Sequence, residues 1–295
     1  MSAAIAAPSP LRVATTGFIR DRIALTALVL LGLLLAAALG ASWLSPQNPY
    51  DLAQLDILDA RLAPGSPSSA GGIYWLGSDG QGRDLLSAIL YGLRISLGVG
   101  ILSTVAALAL GLAIGLVSAR AGGWIDALIM RVVDLQLSFP SILVALILLA
   151  VAGQGVDRII VALVVVQWAY YARTVRGAAL VELKREYVDA AVCAGYGEAR
   201  ILFRHVLPNV MPPLIVVATV QVAHAIALEA TLSFLGLGLP ITEPSLGLLI
   251  ANGYAYLLAG QYWISVFPGL ALLLTIVAIN LVGDRLRDVL NPRLK

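Results

Sequence analysis

The chain has 295 residues, of which 60% are hydrophobic and 12% charged, with a mean hydropathy of +0.92 and a formal net charge of +2. An average soluble domain is about half apolar and about a quarter charged, so this composition excludes that class and points to an integral membrane protein. The apolar runs are long enough for helices rather than barrel strands.

Residues 1–22 form an Ala/Pro/Ser-rich tail carrying Arg12, Arg20 and Arg22, expected in the cytoplasm. Ile23–Leu44 is unbroken and apolar. At about 1.5 Å per residue it reaches roughly 33 Å, enough to cross a bilayer, and it exceeds a signal-peptide core, so a retained anchor is expected. Residues 45–94 form an extracytoplasmic loop whose polar part carries Asp51, Asp56, Asp59, Asp79 and Asp84. The sequence Asp79-Gly80-Gln81-Gly82-Arg83-Asp84 fails the EF-hand spacing and predicts a turn, followed by a helix that Asp84 starts.

Residues 95–282 form the transmembrane core. Ile95–Ala119 is a second span, with Gly111 and Gly115 spaced for close helix contact. Leu135–Ala152 is a third, entered through a kink at Phe139-Pro140. Ile159–Ala172 is a fourth, with a helix able to continue past Arg173 and Arg176. Pro212–Leu235 is a fifth, holding Gln221, His224 and Glu229. Gly236–Gln261 has no Lys or Arg and reads as a re-entrant piece; Tyr262–Val282 is the sixth span, and residues 283–295 are a basic cytoplasmic tail.

Basic residues set the orientation. With the N-terminus inside, fifteen Lys and Arg fall on inner segments and four (Arg61, Arg83, Arg94, Arg158) on outer ones. The expected fold is all-α, with six transmembrane helices and both termini cytoplasmic.

Residues 183–209 then lie in the cytoplasm between the fourth and fifth spans. The stretch EYVDAAVCAGYGEARILFRHVLPN predicts a helical hairpin. Glu186–Ala194 are good helix formers, Gly195 and Gly197 break the helix, Glu198 restarts it and Leu207-Pro208 ends it. Ala190 and Ala191 present no bulk, so a partner can approach. A solvated loop with incidental helicity explains composition alone equally well. Neither lysine, Lys184 or Lys295, sits in the glycine-rich pattern of a phosphate-binding loop, so any nucleotide site is expected on another chain.

Asp189-Ala190-Ala191, three residues, Gly195, nine residues, His205, one residue, then Leu207-Pro208 resembles the EAA motif of ATP-binding-cassette importer permeases. Asp189 stands where the motif has Glu, and His205 where it has Ile; RHVLPN is similar to the peptide/nickel branch. LGSDGQGRDLLSAILYGLRISL, GGWIDALIMRVVDLQLSFPSILVAL, ATLSFLGLGLP and GDRLRDVLNPRLK resemble the C-type permease of dipeptide and oligopeptide importers, a type I importer permease. The resemblance implies half of a peptide-import pore in a bacterial inner membrane. It implies a second homologous permease, two ATPases docked on the coupling loop and an extracytoplasmic solute-binding protein, and no chemistry on this chain. Glu186, Asp189, Ala190, Ala191, Gly195, Gly197, His205, Leu207 and Pro208 would form the coupling surface. No cofactor, metal or nucleic acid is expected.

Cys193 alone excludes an internal disulfide framework or cysteine-clustered metal site, and two distant histidines do not suggest zinc. Glu229, at membrane depth, either lines the translocation path with Gln221 and His224, carries protons in a secondary carrier, or is a buried hydrogen-bonded acid. Nickel chelates or glutathione are the alternative cargoes.

Overall fold

A computed structural model describes residues 21–69, 71–240 and 242–290. Of the expected tails, residues 1–20 and 291–295 lie outside the described residues. Nine helices organise the described chain: α1 (Arg22–Leu39), α2 (Leu85–Ala121), α3 (Gly123–Ser138), α4 (Ser141–Ala152), α5 (Val156–Glu182), α6 (Glu186–Cys193), α7 (Glu198–Phe234), α8 (Leu246–Tyr254) and α9 (Trp263–Leu290).

Five of these (α1, α2, α5, α7 and α9) are long and apolar enough to cross a membrane singly. The candidate for a sixth crossing is the pair α3–α4, which bends by 89° at Phe139-Pro140. Alone, the 12 residues of α4 reach about 18 Å, short of a bilayer core of about 30 Å. The expected kink is thus a corner, placed where Pro140 cannot donate to the helix ladder.

The first span starts at an N-cap. Asp21 Oδ1 accepts from the Ile23 and Ala24 amides at 3.0 and 3.3 Å. The helix stops at Gly40, ahead of a separate turn at Ala41–Leu44, so the expected run to Leu44 is divided. At its start α1 is tied to α9 by an Asp21–Arg285 ion pair of 3.6 Å.

The second helix begins at Leu85, as the Asp84 signal predicts, ten residues before the apolar span at Ile95. Asp84 is its N-cap, with Oδ2 accepting from the Ser87 amide at 2.8 Å. Its first nine residues are largely covered by protein: Leu85, Ala88, Ile89 and Leu93 pack with Leu246, Leu249, Trp263 and Ile264. In the bilayer there is little hydrophobic drive between helices, so close packing holds them together. The Gly111/Gly115 pair shows how. A Cβ at Gly111 would lie 2.4 Å from Tyr171 Cβ, and one at Gly115 would lie 2.7 Å from the Ala172 carbonyl oxygen. Only glycine lets α2 and α5 approach so far.

Residues 45–84 fold into a small module at one end of the bundle. Two short strands, β1 (Ser66–Pro67) and β2 (Ile73–Tyr74), pair antiparallel with Ser66 opposite Tyr74. Asp59 anchors it, accepting from Ser69 N (2.9 Å), Ser69 Oγ (3.0 Å), Ser68 Oγ (3.1 Å) and Tyr74 Oη (2.9 Å). Burial pushes this carboxyl up, but the hydrogen bonds outweigh it and hold the group below its ordinary value. The predicted turn at Asp79–Asp84 is closed by a buried Arg83–Asp79 ion pair of 2.7 Å. The Gly236–Gln261 segment folds inward as α8, buried on Leu246, Gly247, Leu248, Leu249 and Gly253.

Candidate functional site: the hairpin and the polar residues of the fifth span

The hairpin sits at the opposite end from the 45–84 module, where α2 and α5 finish. Its first arm, α6, ends in a Schellman motif. The Gly195 amide donates to the Val192 carbonyl (2.9 Å) and the Tyr196 amide to the Ala191 carbonyl (3.1 Å). Gly195 carries φ +77°, the left-handed conformation that favours glycine, and a Cβ there would meet nothing within 4 Å. Its requirement is conformational, not steric.

The underside is apolar. Val188, Ala191, Ile201 and Val206 are buried with Leu116, Ala119, Tyr171, Val175, Ala179, Val210 and Leu214 from α2, α5 and α7. The outer side exposes Glu186, Asp189, Ala190, Gly195 and Gly197. The two alanines therefore part company: Ala190 faces out and Ala191 packs inward. Successive helical residues are about 100° apart, so adjacent alanines do not share a face.

Three contacts hold the hairpin together and brace it against the spans. Arg120, in the last turn of α2, forms an ion pair with Glu198 in the first turn of α7. The Tyr187 hydroxyl donates to Glu182 Oε2 (2.6 Å) and accepts from Asn209 Nδ2 (3.2 Å). Partial burial first, then the Glu182 carboxylate, push this phenol above its ordinary value. Tyr196 stacks on His205, with centroids 5.8 Å apart, while Arg200 lies over its ring.

The expected helix end at Leu207-Pro208 is corrected by the structure. Glu198–Phe234 is one helix of 37 residues. A proline lacks its own amide donor and crowds the carbonyl four residues back. Here Ile201–Val206 form a wider π turn in which the Leu207 amide reaches the Leu202 carbonyl, so the backbone register changes just before Pro208. Leu207 and Pro208 then stand at the start of the regular α-helix rather than at a stop.

Glu229 is fully buried within this helix and accepts from Ser96 Oγ (2.9 Å) and Ser233 Oγ (2.8 Å), joining α7 to α2. Gln221 is buried two turns away on the same stripe, and His224 is exposed. The three residues do not converge on one opening.

Tyr187, Arg120 and Asn209 were missed in the sequence, as was Phe203, an apolar side chain 64% exposed beside the hairpin. Phe203 is readable in the sequence as a large apolar residue just before Arg204-His205; the others depend on contacts 5 to 78 positions apart.

Comparison with known proteins places this geometry in a family. The model of the binding-protein-dependent transport system inner membrane component matches residues 107–295. That of the N-terminal TM domain of oligopeptide transport permease C matches residues 9–64. The di/tripeptide transport system permease protein DppC of Pseudomonas aeruginosa is 39% identical over 98% of this chain and 94% of its own. The glutathione transport system permease protein GsiD of Pectobacterium atrosepticum is 37% identical over 94% of this chain and 89% of its own. Among solved structures, the inward-facing MetNI methionine ABC transporter matches with a TM-score of 0.56 and 21% identity, covering 69% of this chain and 96% of that one, a likeness of fold. The chain belongs to the binding-protein-dependent transport system inner membrane component family, as a multi-pass inner-membrane permease of an ABC importer.

Proposed function

We propose that the chain forms half of the pore of an ATP-driven importer of di- and oligopeptides. A second, homologous permease would supply the other half. Two ABC ATPase subunits would dock on the hairpin, and a solute-binding protein would deliver cargo from outside. Both termini lie in the cytoplasm in this reading, the 45–84 module lies outside, and nucleotide is bound by the partner subunits alone.

The observation that carries the reading is the braced hairpin. Its exposed side offers Asp189, Ala190 and Gly195, while its buried side and the Arg120–Glu198 pair join it to three spans. Force applied to such an element moves α2, α5 and α7 together, which is what alternating access requires. Nucleotide can shift that equilibrium only if the docked ATPases bind the two states with different affinity. The peptide cargo rests on the relatives named as peptide permeases. Glutathione is a second reading, favoured by the GsiD relative.

Proteoliposomes holding the two permeases and the ATPases, supplied with binding protein, test this. ATP-dependent uptake of a labelled dipeptide is expected, lost when the ATPases are omitted. Uptake without ATPase subunits would overturn the importer reading in favour of a secondary carrier. Uptake of glutathione with no dipeptide uptake would overturn the cargo.

A further inference from the structure

The 45–84 module contains a cleft of about 590 Å³, within the size range of small-molecule sites. Gln47, Gln54, Asp56, Ser69, Tyr74 and Asp84 supply its polar wall. No Lys or Arg is among its described lining residues, so two carboxylates face the cleft with no cation in its wall.

Asp84 is the informative residue. It is 2% exposed, and its Oδ2 is fully used at the start of α2, accepting from the Ser87 amide (2.8 Å) and Ser87 Oγ (2.5 Å). Its Oδ1 is buried and meets no donor among the described residues. A buried carboxylate oxygen without a donor is costly. The surroundings are fixed: the Asp84 amide donates to Gln47 Oε1 (2.6 Å), and Gln47 Nε2 donates to the Gln54 carbonyl (2.7 Å). The capping role therefore explains one oxygen of Asp84 and leaves the other buried without a donor in the wall of a polar, anionic cleft.

We propose that this cleft binds a primary ammonium group carried by a small molecule, with Asp84 Oδ1 as the main acceptor and the Asp56 carboxylate as the second negative charge. An ammonium brings a positive charge and three N–H donors, so it answers both the missing donor and the missing cation. A divalent metal fits less well, because among the described residues no group of three or more His, Cys, Asp or Glu is placed to hold one. The proposal rests on the cleft and not on what the pore carries.

Saturation-transfer NMR on the full chain in nanodiscs tests it with three probes: alanyl-alanine, N-acetyl-alanyl-alanine and propylamine. Alanyl-alanine and propylamine are expected to bind and the acetylated peptide is not; the tighter of the two amines identifies the source of the ammonium. Asp84→Asn keeps the helix cap, since Asn caps as well as Asp, but removes the charge. It is expected to weaken both amines about tenfold or more with melting temperature unchanged. Ile73→Trp, which fills the cleft from its wall without touching the cap, is expected to weaken them as well. Equal binding of the acetylated peptide, unchanged affinity in both variants, or no binding by either amine would overturn the proposal. So would saturable calcium binding that Asp84→Asn abolishes.

Discussion

The Tyr187 hydroxyl donates to the Glu182 carboxylate across 2.6 Å, pinning the first turn of α6 to the last turn of α5. The same oxygen accepts from Asn209, so one side chain ties together both arms of the hairpin and the span before it. Tyr187→Phe keeps the ring and removes both bonds. Each is worth about 1 kcal/mol net, more for the one to a carboxylate, so hydrogen exchange of residues 186–194 is expected to quicken about tenfold or more. Exchange elsewhere in α5 and α7 stays as it was. An unchanged rate across 186–194 would show that the apolar underside alone orders the hairpin.

Gly195 is predicted to be intolerant for a reason that space does not reveal. A β-branched residue at φ +77° is strained by backbone sterics even in the open. Gly195→Val is expected to insert and to keep the transmembrane helices, as circular dichroism would show, while co-purification of the ATPase subunits and ATP-dependent uptake are lost. Full ATPase retention by this variant would mean that the Schellman turn does not set the docking surface.

Much of this architecture is legible in the sequence because bilayer thickness imposes long apolar runs, and because Gly195 marks its own turn. The rest is set by neighbours. Asp84 announces the start of α2, but that Leu85–Leu93 is covered by protein rather than by lipid depends on α8 and α9. Leu207-Pro208 reads as a stop only if the helix keeps its ordinary register, and the π turn changes it. Ala190 and Ala191 are equivalent as letters and opposite in space. Glu229 has three sequence readings, and its serine partners, one of them 133 positions away, show it hydrogen-bonded in the core.

The helix seam predicts opposite outcomes for one substitution. At Gly111 a new methyl would meet Tyr171 Cβ at 2.4 Å and the Trp168 carbonyl oxygen at 2.6 Å, atoms with little freedom to move. Gly111→Ala is expected to lower stability by about 1–3 kcal/mol. At Gly32, within α1, a methyl meets nothing within 4 Å, and Gly32→Ala is expected to gain about 0.5–1 kcal/mol from helix propensity. Thermal melts of the purified chain, followed by size-exclusion recovery, separate the two. Equal shifts would contradict the close α2–α5 approach.

Asp59 gives the 45–84 module an acid-sensitive anchor. Its folded value lies below the ordinary carboxylate value of about 3.9, so its stabilisation is complete above that value and fades as pH falls through the lower folded one. An Ile73 methyl NMR signal, one residue from the Tyr74 that bonds Asp59, is expected to hold its position from pH 7 to 5 and to move only in stronger acid. Asp59→Asn puts an amide donor among the Ser68, Ser69 and Tyr74 donors, and is expected to shift the signal already at pH 7. A wild-type transition near neutral pH would assign the anchor to another group.

Glu229 separates structural from proton-carrying roles. Glu229→Gln keeps an acceptor for one of Ser96 and Ser233, offers an amide donor to the other hydroxyl, which can turn to accept, and removes the titratable proton. In the importer reading, ATP-driven uptake by this variant stays near wild type, with a pH profile of the same shape. Glu229→Leu instead leaves two buried hydroxyls without their acceptor, at about 1–3 kcal/mol each, and is expected to lower the melting temperature and the yield of assembled transporter. Loss of uptake in Glu229→Gln with assembly intact would restore the proton-coupled carrier, because no hydrogen bond in the Ser96–Glu229–Ser233 network needs the charge.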